Sequence, residues 1–179
     1  MSAFSPIDFS VLGDYISGEF SPPRSAEGSI CDINPGQPAD VIGEFEWEAG
    51  SIERAVGAAN EAFPKWSTTP FGERAACLKR YAEALSANRE RMAQLISREM
   101  GKALWEARGE ANAMVAKVGI ALNDGMKLVK EHQPDGVAGR VRYLPRGVMA
   151  VIGPFNFPGH LPNGHIVPAL ATGNTVVFK

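Results

Sequence analysis

The spacing of apolar residues divides the chain into a β-rich start, a helical middle and a β-rich end. Residues 1–48 carry Gly and Pro at short intervals around strand-like runs at 14–20, 30–35 and 41–45, which is typical of hairpins at a sheet edge. From Ser51 the apolar residues recur at helical spacing, and the pattern predicts four helices.

The first of these helices is predicted to begin with Ser51 as its cap and to end at Pro64, because proline lacks the backbone N–H that a helix interior needs. The second begins near residue 70, the third ends near residue 101, and the fourth covers roughly 103–130. Charged side chains among these helices are expected to form a solvated face.

The last part of the chain returns to strand spacing. Residues 137–144 alternate loosely between polar and apolar, which indicates a strand. Residues 148–152 are a continuous apolar run bounded by glycines, as in a strand buried on both faces of a parallel sheet. A helix over 160–171 and a second buried strand over 175–178 complete a βαβ unit.

Two parallel strands joined by one crossover leave sheet edges unpaired and a sheet face uncovered. The pattern therefore predicts the front part of a larger α/β fold with an incomplete sheet. We divide the chain into hairpins and helices over 1–136, a β segment over 137–146 and the βαβ unit over 147–179.

The composition narrows the class of protein. Hydrophobic residues make up 45% and charged residues 21%, the balance of a soluble globular protein. Eighteen Lys and Arg against 20 Asp and Glu give a net charge of −2, so we expect no nucleic-acid partner. The start of the chain does not resemble a signal peptide, and no run is long enough to span a membrane, which predicts a cytoplasmic location. The spacing of Cys31 and Cys77 indicates no metal site.

The candidate chemistry lies in residues 153–158, directly after the first buried strand. Ligands of open α/β sheets bind beyond the carboxyl ends of the strands. Asn156, between Phe155 and Phe157, could there place its amide N–H₂ against a developing oxyanion. The local sequence alone favours a plain turn residue before a proline, because Asn is common in turns. No G-x-G-x-x-G motif follows a strand, so the usual dinucleotide fingerprint is missing.

Five segments resemble the NAD(P)-dependent aldehyde dehydrogenases in the order of that family, and they lie at 61–66, 98–102, 145–148, 153–158 and 168–179. The resemblance covers nearly the whole chain. It implies the N-terminal part of an aldehyde-dehydrogenase-like, Rossmann-type cofactor domain. Within the family, residues 157–168 further resemble the N-succinylglutamate 5-semialdehyde dehydrogenases of arginine catabolism.

The resemblance also implies roles for single residues. Asn156 would hold the oxyanion during hydride transfer, and Lys179 would bond the adenosine ribose hydroxyls of NAD, or of NADP in its place. The cofactor cleft would be lined by Ile152, Gly153, Pro154 and Phe155. Phe157, His160 and Gly164 would line the aldehyde tunnel, where Gly and His are compatible with a long anionic substrate. His160 and His165 do not share a helix face, so no metal pair is expected.

In the family the nucleophilic Cys and the general-base Glu follow the position of Lys179. This chain alone is therefore expected to be inactive and to act on a small aldehyde only within a complete enzyme. The resemblance further implies a homo-oligomer, dimer or tetramer, assembled through residues 137–146. Two alternatives stay open, another semialdehyde dehydrogenase of the superfamily and a non-catalytic fragment that acts as an assembly partner.

Overall fold

A computed structural model describes residues 13–179. Its strands are β1 (Asp14–Ile16), β2 (Glu19–Ser21), β3 (Gly28–Ile33), β4 (Val41–Trp47), β5 (Val148–Val151) and β6 (Thr175–Phe178). Its helices are α1 (Gly50–Thr68), α2 (Phe71–Ala87), α3 (Arg89–Met100), α4 (Leu104–Ile120), α5 (Met126–Leu128) and α6 (His160–Ala171), with a π-helical turn (Ala121–Gly125) between α4 and α5. The expectation about a signal peptide falls on residues 1–12, which lie outside the described residues.

The first four strands form two antiparallel hairpins, β1–β2 and β3–β4, as the turn residues predicted. Ser17 and Gly18 connect β1 to β2 with positive φ angles of 56° and 91°, the backbone that a tight two-residue hairpin turn requires. Each hairpin is a separate two-stranded sheet, so neither extends the edge of the sheet formed by β5 and β6.

The predicted βαβ unit is confirmed. β5 and β6 are parallel neighbours, with Val148 opposite Thr175 and Val151 opposite Phe178, and α6 connects them. Gly173 ends the crossover with φ 88°, a left-handed conformation that glycine adopts at little cost.

Burial of these strands on both faces was predicted and is wrong for the described residues. Val151 is buried, but Ala150 and Phe178 are exposed. The physical reason is the size of the sheet, because no other strand of residues 13–179 pairs with either edge of β5–β6.

The core lies where α2, α4 and α6 meet. Its fully buried members are Leu78, Leu85, Met114, Val118, Val167 and Ala171. A second cluster of Ala93, Ile96, Ala107 and Ala111 joins α3 to α4, where small side chains let the two helices approach closely.

Both predicted boundaries of the first helix are wrong. Pro64 lies inside α1, which continues to Thr68. The last turn is anchored by a tertiary contact, since the indole Nε1 of Trp66 donates to the carbonyl oxygen of Leu170 at 3.1 Å. Ser51 lies in the first turn and does not cap it, and its Oγ accepts from Arg54 Nη2 at 2.9 Å instead.

The strand predicted over 137–144 is not formed. One isolated bridge pairs Val141 with His132, and no other residue of the segment pairs with a strand in the described part of the chain. Val137, Tyr143 and Leu144 are exposed. A strand needs a partner along its length to satisfy its backbone groups, and residues 13–179 supply none here.

Candidate functional site

The carboxyl ends of β5 and β6 meet at the start of the candidate loop. The backbone N–H of Gly153 donates to the carbonyl oxygen of Lys179 at 2.7 Å, and the N–H of Lys179 donates to that of Val151 at 2.9 Å. These two bonds continue the parallel ladder by one residue and set Ile152 opposite Lys179. Both residues are exposed, Ile152 at 79% of its surface.

Gly153 is required by close packing. A Cβ at this position would lie 2.8 Å from Cγ of Pro162 and 3.3 Å from the ring of Phe178, so the loop can pass α6 only without a side chain. Phe155, two residues further along the chain, is 80% exposed.

These residues fit a dinucleotide. Ile152 and Phe155 offer an exposed apolar wall, and the exposed Lys179 brings a donor ammonium to the same strand ends. An apolar wall suits an adenine face, and an ammonium on a flexible stem suits sugar hydroxyls.

A buried ion pair fixes the turn that carries Asn156. The ammonium Nζ of Lys102 donates to the backbone oxygen of Asn156 at 2.7 Å and to Oε2 of Glu110 at 2.8 Å. It also lies 4.2 Å from the centre of the Phe157 ring, within cation–π distance. The Lys102 and Glu110 side chains are only 10% and 1% exposed, so water screens this pair little.

The same carboxylate caps α6. Oε1 of Glu110 accepts from the backbone N–H of Gly159 at 2.9 Å and from that of His160 at 3.1 Å. The first amides of a helix have no partner within the helix, and negative charge is favourable at that end. α6 has no cap from a neighbouring side chain, so Glu110 on α4 takes that place across 49 residues of sequence.

The sequence analysis missed Lys102 and Glu110, because charged residues among the helices were expected to be solvated. For these two residues that expectation is wrong. One signal was present for Glu110, which falls on the apolar stripe formed by Ala107, Ala111 and Met114. A carboxylate at such a position indicates a buried partner.

Asn156 itself is exposed, and its side-chain amide makes no hydrogen bond to any residue from 13 to 179. The backbone on which it stands is held by Lys102. The neighbouring Phe157 ring packs edge-on against His160, with ring centres 5.6 Å apart. The arrangement therefore presents a free N–H₂ donor on a fixed turn, which is what stabilising an oxyanion requires.

The three predicted tunnel residues, Phe157, His160 and Gly164, follow one another into α6. Nδ1 of His160 is buried without a hydrogen-bond partner in the described structure. Burial lowers the pKa of His160, and the charges of Lys117 and Lys102 lower it further against the opposing effect of Glu110. The lowered pKa favours the neutral form of the ring.

The space that a side chain at position 164 would take is occupied. A Cβ on Gly164 would collide with Nζ of Lys117, which reaches this point from α4. The resemblance predicts that Gly164 lines the aldehyde tunnel, and in the structure an ammonium lies against this position.

Other chemistry is sparse in residues 13–179. Cys31 on β3 and Cys77 on α2 are both free and exposed. The described residues hold no cluster of three or more His, Cys, Asp or Glu side chains that could bind a metal ion. None of their helices has the length and hydropathy to cross a membrane.

This chain belongs to the aldehyde dehydrogenase family, whose sequence model matches residues 23–179. It is 50% identical over 154 residues to an N-succinylglutamate 5-semialdehyde dehydrogenase of Burkholderia ambifaria (strain MC40-6). That match covers 84% of this chain and 31% of the relative. The chain spans about a third of the length of the curated relatives it matches.

Solved structures agree with the family. A NAD-dependent benzaldehyde dehydrogenase from Corynebacterium glutamicum superposes with a TM-score of 0.83 at 29% identity, over 98% of this chain and 38% of that one. An NADP-dependent glyceraldehyde-3-phosphate dehydrogenase from Bacillus halodurans C-125, complexed with NADP, gives 0.80 at 28% identity, over 91% and 36%. The α/β fold expected from the sequence, as part of a larger aldehyde dehydrogenase fold, is thereby confirmed.

Proposed function

We propose that this chain is the N-terminal part of an NAD(P)-dependent aldehyde dehydrogenase that oxidises N-succinylglutamate 5-semialdehyde to the carboxylate. In this proposal the chain supplies the oxyanion donor and one wall of the cofactor cleft. The nucleophilic thiolate and the general base come from the rest of the enzyme, since neither exposed cysteine stands beside Asn156 in the site described above.

One observation carries the proposal. The amide of Asn156 has no protein partner among the described residues, and it stands on a turn whose backbone is held by the buried ammonium of Lys102. A donor on a fixed backbone needs less reorganisation when negative charge develops on an aldehyde oxygen. A plain turn residue would not need such a support.

The cofactor proposal assigns Ile152, Gly153, Pro154 and Phe155 to the wall of the cleft and Lys179 to the ribose hydroxyls. When bound, NAD(P) accepts the hydride released from the substrate carbon. The exposed apolar wall and the glycine that lets the loop pass close to α6 support this assignment. The solved relatives include one described as NAD-dependent and one as NADP-dependent, so both dinucleotides belong in the assay.

The substrate proposal is supported by the names of the most similar relatives, which are 44–52% identical N-succinylglutamate 5-semialdehyde dehydrogenases. It places Phe157, His160 and Gly164 along the path of the aldehyde. The ammonium of Lys117 on the neighbouring face of α4 adds to this support, because this substrate carries two carboxylates.

The test is an assay of the complete enzyme with N-succinylglutamate 5-semialdehyde and with succinic semialdehyde, each with NAD and with NADP. We expect kcat/KM to be highest for the succinylated substrate. A higher kcat/KM for succinic semialdehyde would assign the enzyme to another semialdehyde. The absence of NAD(P)H formation with both aldehydes would contradict the enzymatic proposal and favour an assembly role.

We further propose a cytoplasmic homo-oligomer in which residues 137–146 pair with a second copy of the chain. Exposed apolar side chains support this, since Leu144 is 70% and Tyr143 52% exposed while their backbone lacks a strand partner among residues 13–179. The Leu144→Glu variant of the complete enzyme should elute from size-exclusion chromatography with a lower mass than the wild type. An unchanged mass would contradict the proposed interface.

A further inference from the structure

One face of α4 runs along the start of α6. Glu110, Met114 and Lys117 follow one another on α4 at a spacing of four and three residues, which puts them on a single side of the helix. Opposite them, a Cβ at Gly159 would meet Met114 and Glu110, and a Cβ at Gly164 would meet Lys117. The two glycines therefore mark the two ends of this contact between the helices.

The Lys117 ammonium is unpaired within the described residues. It is half-buried, and among residues 13–179 no carboxylate lies within ion-pair distance of it. The nearest carboxylate on the same helix face is Glu110, about 10 Å away along the helix axis. Both oxygens of Glu110 are already engaged with Lys102 and with the first amides of α6.

A second unpartnered group lies next to this ammonium. His160 precedes Gly164 by one helical turn, so both residues lie on the same side of α6. Nδ1 of His160 is buried and has no partner in the described structure, and the ring is close enough to Lys117 to feel its charge. Buried polar atoms almost always have a partner, so a buried Nδ1 without one, on the side of α6 that faces the Lys117 ammonium, indicates a ligand.

We propose that the Lys117 ammonium, seated against Gly164 beside His160, binds a carboxylate of the aldehyde substrate and selects anionic aldehydes over neutral ones. This inference rests on the proposed function and names the residue that recognises the negative charge of the substrate. An ammonium and an imidazole N–H are both donors, and a carboxylate offers acceptor oxygens to both.

The location agrees with this assignment. Lys102 holds the backbone of Asn156, and Glu110 accepts from the backbone N–H of His160, four residues further along the chain. Gly164 lies one more turn along α6. The oxyanion donor Asn156 thus lies on the same continuous segment as His160 and Gly164, the two residues beside the Lys117 ammonium. An elongated substrate would reach both only if its carboxylate and its aldehyde are separated by several bonds.

The experiment compares two substrates in the complete enzyme. One is N-succinylglutamate 5-semialdehyde, and the other is its diamide, in which neutral carboxamides replace both carboxylates at nearly the same size. The measured quantity is the ratio of kcat/KM for the anionic substrate to kcat/KM for the diamide. Lys79→Met, a loss of charge at an exposed position on α2, serves as the control and should leave the ratio unchanged.

Lys117→Met should lower this ratio about 10- to 100-fold, the range expected for a hydrogen bond between charged groups. Lys117→Glu should lower it further, because it repels the substrate charge. Gly164→Ala should also lower it while keeping the lysine, since the new Cβ displaces the ammonium. If Lys117→Met does not fold by circular dichroism, Lys117→Gln carries the same expectation.

A wild-type ratio in a folded Lys117→Met enzyme would overturn the inference and leave the proposed function intact. A wild-type enzyme that oxidises neither substrate would overturn the proposed function and the inference with it. The two failures are therefore distinguishable from the wild-type measurement alone.

Discussion

The Lys102 ammonium donates to the backbone oxygen of Asn156 at 2.7 Å, across 54 residues of sequence. Lys102 lies in the short connection between α3 and α4, and its other partner is the buried Glu110. The position of the proposed oxyanion donor is thus set by the packing of the helical layer against the βαβ unit. Substitutions in that layer should therefore change the catalytic rate even where the substituted residue contacts no substrate.

Replacement of Asn156 by Ala in the complete enzyme should lower kcat by roughly 10²–10³, the range for the loss of one oxyanion donor. The affinity for NAD(P) should change little, because the backbone of the turn keeps its bond to Lys102. Stopped-flow measurement of NAD(P)H formation checks the hydride-transfer step directly. A hydride-transfer rate near that of the wild type would exclude this role for Asn156.

Replacement of Lys179 by Ala should weaken NAD(P) binding by about 1–2 kcal/mol, the size of hydrogen bonds made by a charged group. The apparent KM for the dinucleotide should rise much more than the KM for the aldehyde. Lys65→Ala, at an exposed position on α1, is the matched control. Equal changes in both KM values would mean that Lys179 is only a solvated lysine at the end of a strand.

Glu110→Ala should lower the free energy of unfolding by about 3–5 kcal/mol, because it leaves a buried ammonium without its counter-charge and two amides at the start of α6 without their acceptor. Glu110→Gln keeps an acceptor for those amides and should cost less. Glu106→Ala, one turn earlier and exposed, is the control. Urea unfolding of the complete enzyme gives the three values, and a loss for Glu110→Ala no larger than for the control would contradict the assignment.

Asp40 should make stability depend on pH in the acid range. Hydrogen bonds from Arg98 and then from Asn34 lower the pKa of Asp40 from 3.8 to about 2. Because the folded-state pKa is the lower one, the stabilisation is complete above pH 4 and is lost as the pH falls toward 2. Asp40→Asn should therefore flatten the loss of stability between pH 4 and pH 2, as measured by urea unfolding.

Arg98→Met supplies the matched test, because it removes the group that contributes most to the lowered pKa of Asp40. Its pH dependence should be as flat as that of Asp40→Asn. If either variant kept the slope of the wild type, another carboxylate would be responsible for it.

Residues 1–179 expressed alone should self-associate and form no NAD(P)H with any aldehyde. Ile152 and Phe155 expose about four fifths of their surface beside a sheet whose two edges have no strand partner among residues 13–179, which promotes association. Size-exclusion chromatography with light scattering and an assay at 340 nm test the two statements. A monodisperse monomer that oxidises N-succinylglutamate 5-semialdehyde would contradict both.

Local patterns were enough to predict most elements of the fold. Apolar periodicity predicted α6 and the two strands beside it, because the period of a helix or a strand is visible over residues that are close in sequence. Pro64 and residues 137–144 were misjudged for the same reason. In the first case a distant contact of Trp66 outweighs a local helix breaker. In the second the described part of the chain offers no strand with which the predicted strand could pair.

By itself the sequence determined the class of fold, the family and the position of Asn156, since each of these rests on residue types at fixed spacing along the chain. Only the tertiary structure decided that Glu110 and Lys102 hold the Asn156 turn and that Lys117 lies against Gly164 with no ion-pair partner among residues 13–179. The physical reason is that the partner of a buried charge is chosen by how helices pack. The paired residues lie about 50 positions apart in the sequence, so no local pattern predicts the pairing.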